Sequence, residues 1–322
     1  FSNMHGVRSL NYTLQVKAGT PYEIELDFEY FRSDAQLNFD IGFKQKVDIN
    51  ASVARVKDAD IVVFASGVSP VLEGEEMGVN LPGFKGGDRT DIELPAIQRE
   101  LISALHRAGK KIILVNCSGS PIALEPETKN CEAILQAWYP GQQGGTAVAE
   151  VLFGDYNPGG RLPVTFYRNM SQLPDFEDYN MTGRTYRYMT QQPLFPFGYG
   201  LSYTTFDYGK LSLDKEQIKQ GEPLKLAVSV TNSGQCDGEE VVQVYLKKQD
   251  DAEGPGKTLR AFKRVYIPAG KSVNVEFDLK DKELEWWDAQ SNTMRVCAGK
   301  YDIMVGRSSQ DQDLQRGSFV IE

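Results

Sequence analysis

The 322-residue sequence predicts an open, mostly parallel α/β domain followed by an all-β sandwich of immunoglobulin type, with a β-rich remnant in front of them. Three observations predict this. Continuous apolar runs alternate with helix-period segments between about residues 43 and 206. From residue 207 onward only short alternating runs punctuated by turns remain. Before residue 43 the alternation has period two, but its three runs are too few to make a domain. The length suits two domains and part of a third.

In the first stretch, Leu10, Tyr12, Leu14 and Val16 alternate with polar residues, as do Tyr22, Ile24, Leu26, Phe28 and Tyr30, and Leu37, Phe39 and Ile41. Ala18-Gly19-Thr20-Pro21 is a turn between the first two runs. The α/β pattern then begins with a short helix over Ala51 to Lys57 and the apolar run Ile61 to Ala65. A run apolar on both faces fits an internal parallel strand. Pro95 opens a helix with Ile97, Leu101, Leu105 and Ala108 on one side, and Gly109 ends it. Ile112 to Val115 and Ala133 to Trp138 read as further strands, and Thr146 to Phe153 as a helix closed by Gly154.

Residues 166 to 206 are irregular and dense in Tyr, Pro and Gly, a connecting segment expected to pack along both neighbours. In the last stretch Leu224 to Val230, Val242 to Leu246, Val273 to Leu279 and Tyr301 to Val305 alternate, with turns at Asn232-Ser233-Gly234 and Pro268-Ala269-Gly270.

The net charge of −9 argues against duplex nucleic acid as a partner, since phosphate binding needs basic patches. No apolar run approaches the length of a membrane span. Cys117, Cys131, Cys236 and Cys297 have no C-x-x-C spacing, and His5 and His106 are the only histidines, so neither a metal nor a cofactor is expected. The chain opens at Phe1 without an initiator Met or a basic-then-apolar signal, and reads as a piece of a longer protein, any export signal of which would lie upstream.

Chemistry concentrates in the loop after the first apolar strand. Glu73, Glu75 and Glu76 fall within four positions, followed by glycines and by Asp88-Arg89-Thr90-Asp91. Ligand sites of open α/β sheets lie beyond the carboxyl ends of strands. Mutual repulsion among three carboxylates favours retention of a proton by one of them, which is what a general acid in glycosidic cleavage requires. Gly74 and Gly78 let backbone approach a ligand closely. The same triplet also fits a solvated acidic loop, and Asp88 with Arg89 a structural ion pair.

Glu73-Gly74-Glu75 with Gly87-Asp88-Arg89-Thr90-Asp91-Ile92-Glu93-Leu94-Pro95 resembles glycoside hydrolase family 3. So do Ala137 to Gly145 (AWYPGQQGG), Leu152 to Pro163 (LFGDYNPGGRLP) and Phe195 to Phe206 (FPFGYGLSYTTF), in order across most of residues 58–206. The last domain resembles the fibronectin type III-like module of the same family, and residues 1–42 the end of an inserted protective-antigen-type carbohydrate-binding module. The resemblance implies domains at 1–42, 43–206 and 207–322. It implies a retaining exo-acting β-glycosidase in which an Asp on a separate amino-terminal barrel attacks the anomeric carbon. A Glu of the α/β domain serves as acid, then base. Glu75 matches that acid/base, with Glu76 in reserve; Glu73, Asp88 and Arg89 match accompanying substrate-binding positions.

On this reading the partners are an oligosaccharide substrate and the barrel of the same protein. The fragment alone lacks turnover, and the location is periplasmic or secreted. The Leu72-Glu73-Gly74-Glu75-Glu76 loop and Gly183 to Tyr188 resemble members acting on xylan fragments, so β-xylosidase is expected, with β-glucosidase as the alternative. A non-catalytic carbohydrate-binding or scaffolding role competes with both. Tyr179, Tyr186 and Tyr188 fit either a sugar subsite or packing, and one ring of Trp286-Trp287 is expected in the sandwich core.

Overall fold

The computed structural model describes residues 12–27, 39, 41–42, 45–74, 78–86 and 88–322. Leu10, Phe28, Tyr30 and Leu37 of the expected amino-terminal strands lie outside the described residues. Residues 12–27 run extended around one turn, where the Thr20 N–H donates to the Lys17 carbonyl at 3.2 Å and Gly19 takes a φ of 77°. Among the described residues they form no strand, and Tyr12, Val16 and Ile24 are exposed. Alternation defines a face, but a strand forms only where neighbouring backbone receives its hydrogen bonds.

The parallel sheet forms as expected. Ile61–Gly67, Lys111–Cys117 and Ala133–Gln136 pair side by side in that order, with Phe64 opposite Leu114 and Leu114 opposite Ile134. One face is covered by helix Ala96–Arg107, whose buried Ile102 and Leu105 meet Val62, Phe64, Ile112 and Leu114. The helix stops where Gly109 takes a φ of 75° and its N–H returns to the His106 carbonyl at 2.9 Å. Ahead of it, Asp48 caps helix Ile49–Arg55 by accepting from the Ala51 N–H at 2.9 Å.

Ile61–Gly67 differs from the internal strand that its sequence suggested. It pairs only with Lys111–Cys117 among the described residues, which leaves it at the sheet edge. Ile61 and Val63, on the face away from helix Ala96–Arg107, are 54% and 53% exposed. Its far end is fixed tightly. The Gln98 side chain bonds both the N–H and the carbonyl of Gly67, at 3.0 and 2.9 Å. Gly67 has a φ of 127°, and a Cβ there would lie 1.7 Å from the Cys117 carbonyl oxygen. Gly67→Ala in the full-length protein is therefore expected to cost at least about 1–3 kcal/mol, read as a lowered thermal midpoint. An unchanged midpoint would show that the strand end yields freely.

From residue 206 the chain builds the sandwich. One sheet orders Thr258–Ile267, Gly238–Lys248, Gly299–Gly306, Leu314–Ile321 and Gln217–Ile218. The other orders Ser272–Leu279, Leu224–Asn232 and Phe206–Tyr208, with Ser212–Leu213 also paired to Leu224–Asn232. Leu224, Leu226, Val228 and Val230 point into the core as their alternation predicted, and meet Val242, Val244, Phe277 and Ile303 there. Trp286 is 3% exposed and edge-on to Tyr301, whereas Trp287 is 51% exposed, so one ring of the pair fills the core.

The connecting segment packs on both sides. Phe166 is buried, meets Trp138 edge-on with centroids 6.0 Å apart, and pairs across a bridge with Phe195. Tyr186 stacks on Phe197 at 4.4 Å, stands edge-on to Tyr245 of the sandwich, and accepts the Leu259 N–H at 3.1 Å. This contact decides its role in favour of packing. Arg161 spans the same seam to Glu240, its Nη2 lying 3.1 Å from both carboxylate oxygens.

Candidate active site

Three segments leaving the carboxyl ends of the three parallel strands meet at one point. After Ile61–Gly67, Ser69 caps a single helical turn, Pro70–Glu73, by accepting from the Leu72 N–H at 3.2 Å. Gly74 ends the turn in the left-handed region at a φ of 58°. Glu73 is the last residue of that turn, and its carboxylate receives two hydroxyls. Ser120 Oγ, beyond Lys111–Cys117, donates to Oε1 at 3.0 Å. Tyr139 Oη, beyond Ala133–Gln136, lies 2.8 Å from Oε2 and 2.7 Å from the Val68 carbonyl oxygen, so its single proton is shared between two acceptors. Burial and the bond to Glu73 hold the Tyr139 hydroxyl above its ordinary pKa.

Close approach at this point needs Gly119. A Cβ there would lie 2.6 Å from the Tyr139 ring and 3.1 Å from Glu73 Oε2. Ser118, fully buried, donates to the Ser120 carbonyl at 2.8 Å and fixes the bend.

Arg89 completes the cluster. Asn80–Leu81, Phe84–Lys85 and Asp88–Arg89 pair into a small antiparallel meander, which sequence patterning presented only as a loop. Two-residue strands carry no periodic signal. The meander buries Phe84 and lays the Arg89 guanidinium over its ring, 5.7 Å from the centroid. Arg89 Nη1 donates to Ser120 Oγ at 3.3 Å and Nη2 to the Glu93 carbonyl at 2.9 Å, while Asp91 lies 3.9 Å away. Burial pulls the Arg89 pKa down, opposed first by Asp91 and then by Glu73. The Ser120 hydroxyl therefore links Arg89 to Glu73, accepting from one and donating to the other.

Behind the cluster, Arg99 forks onto the fully buried Glu127 at 2.8 and 3.1 Å, pairs with Glu93, and donates to the Ala123 carbonyl at 2.7 Å. A bidentate guanidinium–carboxylate pair of this kind is directional as well as strong. It anchors the Glu93 backbone that Arg89 uses.

The structure thus brings Glu73 and Arg89 together. It leaves Asp88 exposed on the meander, opposite Lys85 and without a side-chain hydrogen bond among the described residues. Glu75 and Glu76 lie outside the described residues, directly after Gly74. Ser120 and Tyr139 did not emerge as site residues from the sequence. The available signal was position, since each follows a predicted parallel strand within a few residues.

Among the described residues no group of three or more His, Cys, Asp or Glu is arranged to hold a metal ion, and no helix is long and apolar enough to cross a membrane. The four cysteines are unbridged, and burial, then Glu127, pushes the Cys131 thiol up to about 12.

An α/β domain with polar side chains gathered beyond its parallel strands, joined to a β-sandwich, is a recognisable combination. The chain belongs to glycosyl hydrolase family 3: residues 5–203 match the C-terminal domain of that family, and residues 240–309 match the fibronectin type III-like domain. It is 52% identical over 304 residues to a xylan 1,4-beta-xylosidase of Xylanibacter ruminicola, covering 94% of this chain and 35% of that protein. It is 36% identical over 286 residues to a periplasmic beta-glucosidase of Salmonella typhimurium, covering 84% of this chain and 35% of that one. Among solved structures, a β-glucosidase from Erythrobacter marinus superposes with a TM-score of 0.73 at 38% identity, over 85% of this chain and 36% of that one. The chain thus spans about a third of the length of these relatives.

Proposed function

We propose that this chain supplies the acid/base half of a retaining exo-β-glycosidase that removes terminal β-linked sugars from plant polysaccharide fragments. Glu75 protonates the departing glycosidic oxygen and then activates water, with Glu76 as the reserve choice. The attacking carboxylate comes from an amino-terminal barrel of the same protein. Glu73 and Arg89 bind sugar hydroxyls from their fixed cluster, and Asp88 adds a contact from the meander.

The observation that carries this reading is the fixation of Glu73 by Ser120 and Tyr139 at the carboxyl edge of the parallel sheet, two positions ahead of Glu75. A general acid must be held within hydrogen-bond reach of its target, and the fixed turn that ends at Gly74 supports this reading. The domain limits on this reading are 1–42, 43–206 and 207–322. The name of the Salmonella relative supports a periplasmic or secreted location.

β-Xylosidase is the preferred activity, supported by the 52% identity to the Xylanibacter enzyme. β-Glucosidase is the second reading, supported by the Salmonella and Erythrobacter relatives. The test uses the full-length protein on aryl β-xyloside and aryl β-glucoside, with the anomer of the first product followed by proton NMR. The expected result is a higher kcat/KM for the xyloside and initial release of β-xylose. Initial release of α-xylose would overturn the retaining mechanism, and a higher kcat/KM for the glucoside would overturn the xylosidase choice.

A further inference from the structure

Between the connecting segment and the outer face of the sandwich lies a cleft of about 1320 Å³, far from the Glu73 cluster in sequence. Tyr186, Arg187, Tyr188 and Gln191 line one wall, and Lys247 and Gln249 part of the other. The two walls are tied at the base, where the Gly256 N–H donates to the Arg187 carbonyl at 2.7 Å.

Arg187 Nε, in the cleft wall, is buried and has no hydrogen-bond partner among the described residues, and Thr258 Oγ1 and Arg260 Nε, outside the lining but a few residues along the chain from Gly256, are in the same state. A buried donor left unpaired costs about 1–3 kcal/mol, and more when it is charged. Neither arginine forms an ion pair with a described carboxylate. Their guanidinium groups instead lie over aromatic rings, Arg187 over Tyr188 at 5.6 Å and Arg260 over Trp286 at 5.4 Å. Burial, and next to it the like charge of Arg187, lowers the pKa of Arg260. Two neighbouring cations in this state, in a chain of net charge −9, are an arrangement that an anion would relieve.

Most carboxylates of the cleft are already engaged. Asp311 pairs with Lys257 and with Arg316, Asp251 accepts from Trp286 Nε1 at 2.7 Å and the Gly254 N–H at 2.8 Å, and Asp302 accepts from Gln249 at 2.7 Å. None of them, nor Glu253 in the same lining, pairs with Arg187, and among the described carboxylates Arg260 has only the more distant Glu285 to offset its charge. The Gln191 and Gln249 amides in the two walls suit sugar hydroxyl groups.

We propose that this cleft binds a carboxylate-bearing sugar, a hexuronate unit whose carboxylate is received by Arg187 with Arg260 behind it. The site is separate from the Glu73 cluster and does not depend on the role of Glu75.

The test is calorimetric titration of the full-length protein with methyl α-D-glucuronoside, which a β-glycosidase leaves intact, against methyl α-D-glucoside and sodium acetate. The expected result is glucuronoside binding at least about tenfold tighter than either control. Arg187→Gln is expected to reduce that affinity at least about tenfold, and Arg187→Lys to recover part of it, because a point charge replaces a fork. Thermal midpoints near that of the unmodified protein show that both variants fold, and Arg187→Lys alone carries the comparison if the other does not. Equal binding of glucoside and glucuronoside would overturn the proposal, as would unchanged affinity in either variant. Acetate binding as tightly as the glucuronoside would overturn the sugar assignment. Absence of glucuronoside binding up to about 20 mM would mean that water alone satisfies the arginines, which also overturns it.

Discussion

In the full-length enzyme, Glu75→Gln is expected to lower kcat/KM on xylobiose by about 10²–10⁴-fold while changing kcat/KM on a dinitrophenyl β-xyloside by less than about tenfold. The contrast follows from the bond being broken. A sugar leaving group departs as an alkoxide unless its oxygen is protonated, whereas dinitrophenolate departs unaided. Glutamine keeps the size and polarity of glutamate but cannot give up a proton. Equal losses on both substrates would remove Glu75 from the acid role and turn attention to Glu76. Glu73→Gln provides a sharp comparison. It keeps an acceptor for only one of the Ser120 and Tyr139 hydroxyls and loosens the cluster, but the resulting loss should not depend on the leaving group.

The second large effect is expected at the seam between the domains. Arg161 and Glu240 have side chains only 7% and 2% exposed. Arg161→Ala leaves the carboxylate buried without its nearest cation, a change that typically costs about 3–5 kcal/mol. Burial already holds the Glu240 carboxyl above its ordinary range, with Arg161 and then Arg307 drawing it back down. Removal of Arg161 raises it further. A folded-state carboxyl above its unfolded value binds more protons in the folded protein, so stability falls as pH rises through that raised value. The deficit of Arg161→Ala should therefore be largest at neutral pH and shrink as the pH approaches the ordinary carboxylate range. Thermal midpoints of the full-length protein across that pH interval check the sign. A deficit that grows on acidification would mean that Glu240 is not the group left uncompensated.

Local signals made much of the α/β domain legible in the sequence. The run from Ile61, the opening Pro95 and the closing Gly109 each act within a few residues, and the strands and helix stand where those signals place them. The long alternating strands of the sandwich were readable for the same reason, although Thr258–Ile267 and Leu314–Ile321 were not singled out. Many side chains of Thr258–Ile267 are exposed or half-buried, so apolar alternation along it is weak.

The candidate site was only half legible. Glu73 is conspicuous as part of an acidic triplet, but its hydroxyl partners stand 47 and 66 positions further along the chain. Only the parallel order of three strands brings Ser120 and Tyr139 to it, and no spacing rule contains that order. Residues 12–27 show the converse, because perfect alternation specifies a face and leaves the pairing partner unspecified.

The edge position of Ile61–Gly67 has a practical consequence for work with this 322-residue piece on its own. A strand with one edge unpaired among the described residues, carrying exposed Ile61 and Val63, is a template for self-association, because a second molecule can add its own backbone to that edge. Dimers or aggregates of the isolated piece would then reflect that sticky margin rather than a native quaternary arrangement. Placing a lysine at Val63 is the natural remedy for keeping such preparations dispersed.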